Sequence, residues 1–272
     1  MDDRSDLWGG ADAYERYMGR WSRLVAPAFV EWLGVPHGSE WLDVGCGTGA
    51  LSTAIIDRCE PIRVVGVDQT EQFLEVARSR IRDERFATKV ASADSLSSRE
   101  GEFHAAVSGL VLNFVADKAR AVAEMVRVTR PGGRVGLYVW DYAGHMQVMR
   151  HFFDVATKLD PGASRFDDGV NAPVCRPGPL ARLFPEAGLD DVEVTPLDVR
   201  AAFTDFDDYW TPFLGGTGSA PRYVATLSPS SLERLREALR ERIPTGPDGE
   251  ILLAVRAWAV RGVVPGRRDA GS

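Results

Sequence analysis

Apolar positions along the chain change their period repeatedly, and the changes predict alternating strands and helices. Residues 11–33 carry apolar and aromatic side chains at spacings of three and four, the pattern of an amphipathic helix, which Gly34, Pro36 and Gly38 close. A short apolar run, residues 40–44, stops at Gly45-Cys46-Gly47-Thr48-Gly49, and Leu51, Ala54, Ile55 and Ile56 then begin a helical pattern. Residues 63–68 read as a buried strand ending on an acid, and 71–82 place Phe73, Leu74, Ala77 and Ile81 on one helix face. Strands are predicted at 89–94 and 105–108, a helix at 117–129, a sharp turn at Pro131-Gly132-Gly133 and a strand at 134–140. Strands alternating with helices of 10–15 residues imply a mostly parallel sheet covered on both faces, so the expected fold is a doubly wound α/β domain.

Beyond Trp140 the pattern is less regular. An amphipathic stretch at 145–158 precedes a Pro/Gly/Asp-rich loop through 161–179, and residues 190–200 and 251–260 bring the strands to seven. A charged helix is expected at 228–242. The insertions near 141–175 and 203–250 are candidates for a helical cap over the ligand face of the sheet.

With 272 residues, 44% hydrophobic and 26% charged, the chain suits one globular α/β core plus an elaboration. A net charge of −7 and the lack of a Lys/Arg cluster disfavour long contacts with phosphate backbones, so no nucleic-acid partner is expected. Three dispersed cysteines, Cys46, Cys59 and Cys175, suit reduced thiols. The acidic start, Met1-Asp2-Asp3-Arg4-Ser5-Asp6, does not resemble a secretory signal, and no apolar run approaches the roughly 20 residues that span a bilayer. No membrane span and a cytoplasmic location are the expectation.

The strand–glycine loop–helix sequence Leu42-Asp43-Val44-Gly45-Cys46-Gly47-Thr48-Gly49 has the layout of a nucleotide-binding corner. Its spacing is GxGxG, whereas dinucleotide binders show GxGxxG. A tight turn without a ligand would also use these glycines. Asp68 ends the next strand, 19 residues after Gly49, where a carboxylate can accept hydrogen bonds from both hydroxyls of a ribose or serve the helix that follows. Ala93-Asp94-Ser95, at the end of the third predicted strand, offers a carboxylate and amides to a base, or a surface cap.

Taken in order, these motifs resemble the class I S-adenosylmethionine (SAM)-dependent methyltransferases over residues 38–140. The likeness to the ubiquinone/menaquinone-biosynthesis branch continues through Gly109-Leu110-Val111-Leu112-Asn113-Phe114-Val115, Asp117-Lys118 and Val126-Arg127-Val128-Thr129-Arg130-Pro131-Gly132-Gly133-Arg134. The resemblance implies a Rossmann-like sheet and SAM as cofactor. Asp43, Gly45, Cys46 and Gly47 would surround its methionine part, Asp68 and Gln69 its ribose and adenine, and Ala93, Asp94 and Ser95 its base. Gly109 and Leu110 would line the cofactor, and Tyr17 and Arg20 would meet its carboxylate. It further implies an N-terminal helical segment, 1–35, covering the cofactor and a SAM-binding domain over 36–262, while the Gly/Ala/Ser-containing end, 263–272, reads by composition as a disordered tail. The segments after Trp140 depart from that branch, so quinone methylation is not inferred.

The implied activity is transfer of the methyl of SAM to a small-molecule acceptor, at oxygen, nitrogen or carbon, by in-line displacement. Acceptors with an acidic proton need a base. His145, five residues after the strand 136–140, is the first candidate, with Tyr142 and Asp141 behind it. A solvated or structural His145 is the competing reading. His37 and His104 read as loop residues, and His145 and His151, six apart, do not make a metal pair, so no metal is expected. Asn113, Trp140, Trp210 and Phe213 are candidate acceptor contacts; as aromatics, the last three equally suit a packed cap. A homodimer is left open. The alternatives are a non-catalytic SAM-binding regulator and a nicotinamide-dependent oxidoreductase; the GxGxG spacing and the Pro131-Gly132-Gly133 turn speak against the second.

Overall fold

A computed structural model describes residues 18–215 and 218–266. Seven strands form a sheet in the order β3-β2-β1-β4-β5-β7-β6. They are β1 (Glu40–Val44), β2 (Arg63–Asp68), β3 (Phe86–Val90), β4 (Phe103–Gly109), β5 (Thr129–Trp140), β6 (Asp190–Phe203) and β7 (Ile251–Val263). The helices are α1 (Arg20–Leu33), α2 (Ala50–Cys59), α3 (Glu71–Arg80), α4 (Lys118–Val128), α5 (Gln147–Leu159), α6 (Asp168–Asn171), α7 (Pro177–Glu186), α8 (Phe206–Trp210), α9 (Ser219–Val224) and α10 (Pro229–Arg242). The first five strands in the order pair in parallel. β7 runs against β5, since Gly132 N–H donates to Val264 O near one end and Asp141 N–H to Arg256 O at the other.

The chain divides into two compact units, whose described residues are 22–139, 176–197 and 258–266 in one, and 18–21, 140–175 and 198–257 in the other. The first unit is built around continuous apolar strands. Trp41, Leu42, Val64, Val65, Ala105, Ala106, Val107, Val135 and Leu137 are all buried, as a parallel sheet covered on both faces requires. α1 lies against β5 because Gly136 has no side chain. A Cβ there would strike Leu33 Cδ1 at 2.6 Å, and Phe29 meets Tyr138 with ring centroids 4.7 Å apart. Arg134 donates to Leu33 O at 2.6 Å, and Arg261 donates to Trp32 O while pairing with Glu193 at 2.6 Å. These guanidinium groups satisfy carbonyls that a helix end leaves without partners. Arg261→Met is therefore expected to cost about 1–2 kcal/mol, a fall of roughly 2–8 °C in the thermal midpoint. An unchanged midpoint would show that water serves those carbonyls equally well.

The second unit has its own aromatic centre. Phe152 stacks on Phe213 at 4.6 Å and meets Phe153 edge-on at 5.2 Å, while Tyr209 donates its hydroxyl to Val148 O at 3.0 Å. Arg150 bridges Asp167 (2.9 Å) and Tyr142 O (3.0 Å), tying α5 to the turn before α6.

Several expected boundaries move. The third strand occupies 86–90 rather than 89–94, because its last residue, Val90, is already level with Asp68, where β2 ends. Pro131-Gly132-Gly133 does not precede β5 but lies inside it as a bulge: Phe103 pairs with Thr129, and Ala105 with Arg134. His104 belongs to β4, half-buried, and its Nδ1 accepts from Glu40 N–H at 3.1 Å. The 161–179 segment holds short helical turns capped by Asp160 and Asp167. β7 runs through Val263, with Val264 bonded to residues 132 and 133, so an irregular tail does not begin at 263; residues 267–272 lie outside the described residues. Among the described residues, no helix is long and apolar enough to cross a membrane.

Candidate functional site

β1 pairs with β2 on one side and β4 on the other, so the chain's winding reverses at the carboxyl end of β1. In open α/β sheets that reversal opens a crevice for ligands. Residues 45–49 turn there. Gly45, Gly47 and Gly49 all have positive φ, at 72°, 52° and 90°, a backbone that side chains with a Cβ rarely adopt. Both Gly45 N–H and Cys46 N–H donate to Val67 O, at 2.7 and 2.9 Å, which binds the loop to β2. A Cβ on Gly45 would lie 2.6 Å from Val111, whereas a Cβ on Gly47 would meet no protein atom within 4 Å. Gly47 therefore presents bare backbone to the crevice.

Two carboxylates frame this loop. Asp43 is fully buried at the end of β1; its Oδ2 accepts from Ser52 Oγ at 2.7 Å, while its buried Oδ1 has no partner. Burial raises the Asp43 carboxyl to about 7, against the opposing hydrogen bonds of Ser52 and with a further push from Asp68. Asp68 Oδ2 accepts from Gly47 N–H at 3.1 Å and Oδ1 from Thr70 N–H at 2.9 Å. Burial raises the Asp68 carboxyl too, and these backbone bonds pull it back. The Cys46 thiol is held well above its ordinary value by burial and by both acids, which disfavours the thiolate.

The loops after β2, β3 and β4 carry the other cofactor-binding candidates. Gln69 is exposed beside Asp68. Ala93, Asp94 and Ser95 lie beyond the end of β3 rather than in it, and Ser92 Oγ donates to Asp94 Oδ1 at 2.6 Å. Gly109 ends β4 against Tyr138, whose Oη a Cβ would strike at 2.5 Å. Leu110 is held at φ 64° with its N–H on Tyr138 O, a strained backbone of the kind that gathers at ligand sites. Asn113 is half-buried in the single turn that follows, Leu112–Phe114. Sequence reasoning missed Ser52 as the partner of Asp43, and Val111 and Tyr138 as the walls behind the glycines. It also passed over Gly66, although a lone glycine inside a buried strand signals close approach.

The remaining candidates are placed as follows. Tyr17 lies outside the described residues. Arg20 ion-pairs with Asp208 at 3.0 Å, donates to Ala202 O at 2.9 Å and lies over Phe203, so it already has a carboxylate partner. Asp141 is buried and accepts from His145 N–H at 2.8 Å, fixing the turn after β5. Tyr142 is buried as well. The His145 ring is exposed, with Nδ1 3.7 Å from Asp141 Oδ2 and 3.5 Å from Arg256, which is itself bound to Asp198 at 2.7 Å. Trp140, Trp210 and Phe213 are buried; Trp210 and Phe213 pack into the aromatic cluster of the second unit.

The chain is similar to known proteins over part of its length. The family model of a methyltransferase domain matches residues 42–137. An uncharacterized methyltransferase of Mycobacterium tuberculosis is 35% identical over 140 residues, 51% of this chain and 54% of that protein, so the chain spans about half the length of that curated relative. A tRNA (carboxymethyluridine(34)-5-O)-methyltransferase of Xenopus tropicalis is 30% identical over 149 residues, 54% of this chain and 22% of that protein. The solved structure of a phosphoethanolamine N-methyltransferase of Haemonchus contortus, in complex with S-adenosyl-L-methionine, superposes with a TM-score of 0.60. It covers 97% of this chain and 59% of that one at 16% identity, a likeness of fold alone.

Proposed function

We propose that the chain is a class I SAM-dependent methyltransferase that moves the methyl group of SAM to a small-molecule acceptor by in-line displacement. The observation that carries this reading is the crevice at the end of β1, where a buried, unpartnered Asp43 Oδ1 and the bare backbone of Gly47 stand beside Asp68. These groups fit SAM: the carboxylates suit an ammonium and a ribose diol, and Gly47 allows close approach. When bound, SAM supplies a methyl group already activated on a sulfonium. The protein's part is then to orient the acceptor and exclude water, and such positioning contributes on the order of 7–11 kcal/mol. Asp43, Gly45, Cys46 and Gly47 would hold the methionine end, Asp68 and Gln69 the ribose and adenine, and residues 93–95 the base, with Gly109 and Leu110 lining the cofactor.

The net charge of −7 supports a small acceptor over a polyanion. The tRNA-modifying relative favours RNA as a second reading. Salt-dependent RNA binding, with affinity falling steeply as ionic strength rises, would move the assignment to that reading.

The test is the thermal midpoint with SAM, with S-adenosylhomocysteine and with NADH, for wild type and Asp68→Ala. Ligand at 100 times its Kd adds about 2.7 kcal/mol, or roughly 5–10 °C here. A rise with the two sulfur compounds, absent with NADH and lost in Asp68→Ala, is expected. A response to NADH alone would replace methyl transfer with redox chemistry.

A further inference from the structure

The loop that leaves β3 makes few backbone bonds of its own. Between residues 91 and 98, Ala91 N–H donates to Asp68 O at 3.0 Å and Ser95 N–H to Ser92 O at 3.1 Å. Four more main-chain groups are taken by side chains of α4. Arg120 Nε donates to Asp94 O at 2.8 Å, and Glu124 Oε2 accepts from Leu96 N–H at 2.8 Å. Arg127 donates from Nη2 to Leu96 O and from Nη1 to Ser98 O, each at 2.9 Å. Its Nε and Nη2 also hold Glu124, at 2.6 and 2.8 Å, so one planar fork serves carbonyls and carboxylate together. Positions 120, 124 and 127 follow at spacings of four and three and share one helix face. Buried main-chain groups need partners, and in this loop a polar stripe on a helix supplies them.

We propose that Arg120, Glu124 and Arg127 are positioning residues that fix the 94–98 loop as the base-reading edge of the cofactor site and so set its preference for adenine; this rests on the SAM-binding reading above. Asp94 is pinned twice, through its carbonyl by Arg120 and through its side chain by Ser92. An ionised carboxylate only accepts hydrogen bonds. Adenine offers it an exocyclic amine, whereas a 6-oxo purine presents an acceptor in the same place and is turned away. Discrimination of that kind depends on where the carboxylate is held, and the stripe holds it. Lysine cannot replace Arg127, because a point ammonium does not reproduce the fork.

The experiment is calorimetric titration of S-adenosylhomocysteine and its 6-oxo analogue, S-inosylhomocysteine, into wild type, Arg127→Lys and Arg120→Met. The ligand-free thermal midpoint of each is measured alongside. Wild type is expected to prefer the adenine compound by about tenfold or more, the worth of roughly one directional hydrogen bond. In both variants that preference should shrink several-fold, and in Arg120→Met, at an exposed position, the midpoint should stay at the wild-type value. Parallel weakening of both ligands with the preference intact would overturn the proposal, leaving the stripe a purely structural role. If Arg127→Lys fails to fold, Arg120→Met decides between the same two results. Wild type binding neither ligand would overturn the SAM reading and this inference with it; wild type binding with an unaltered preference in the variants overturns this inference alone.

Discussion

Asp43→Asn is expected to make the ligand-free protein more stable at pH 8 while removing its response to SAM. The carboxyl of Asp43 is fully buried, one oxygen on Ser52 and the other without a partner, and burial moves it from 3.8 to about 7. A carboxyl whose folded value is raised binds a proton in the folded state between those two values, where the unfolded chain does not. Stability from this group is thus full below pH 3.8 and is lost as the pH climbs through about 7. Above both values the folded state carries a cost of about 4 kcal/mol, at 1.36 kcal/mol per pH unit. Asparagine keeps the acceptor for Ser52 and takes away the charge. Its unpartnered amide costs about 1–3 kcal/mol, so the net gain at pH 8 is on the order of 1–3 kcal/mol. Below pH 5 the gain should vanish or reverse, since wild type is then protonated there as well. Thermal midpoints of both proteins at pH 5 and pH 8 measure this directly. A variant less stable than wild type at pH 8 would mean that the carboxylate is paired after all. The trade is physically reasonable: a buried acid held ready for a cationic ligand is a burden until that ligand arrives.

The glycine loop and its acids were legible because their signals are local. Strand, positive-φ glycines and helix follow one another within 20 residues, and β1 and β2 occupy the residues their apolar runs mark. β3 was misplaced because alternation continues in Val90-Ala91-Ser92-Ala93 after the neighbouring strand has ended; pairing, not pattern, terminates a strand. The turns between 161 and 175 are too short to show a helical period. The stripe on α4 was hidden for a different reason. In sequence Arg120, Glu124 and Arg127 are only charges at helical spacing, and the three-dimensional path of residues 94–98 is what gives them main-chain groups to hold. Trp210 and Phe213 show the same limit from the apolar side, since a packed cluster and a ligand pocket use the same aromatics.

Gly66→Ala is expected to damage cofactor binding more than stability, although Gly66 lies within β2 rather than in the glycine loop. Its backbone is level with Asp43 on one side and Thr88 on the other, so β2 cannot shift to accommodate a methyl group. A Cβ there would stand 2.7 Å from Cys46 Sγ, 3.1 Å from Cys46 Cβ and 3.2 Å from Phe86. Cys46 is the part that can give way, and it carries the loop with it. Its N–H and that of Gly45 hold Val67 O, and the next N–H, of Gly47, holds Asp68. Overpacking of this size costs about 1–3 kcal/mol of stability. A loop displaced by even a few tenths of an ångström loses the Gly47–Asp68 bond and the carboxylate geometry, so affinity for S-adenosylhomocysteine should fall by about tenfold or more. Cys46→Ala removes the sulfur that takes the closest contact and keeps the backbone N–H that holds Val67 O. Combined with Gly66→Ala, it should restore much of the binding, a coupling that a double-mutant cycle reads out. Wild-type affinity in Gly66→Ala would show that the loop tolerates the methyl group; a double variant no better than the single one would place the damage at Phe86 instead.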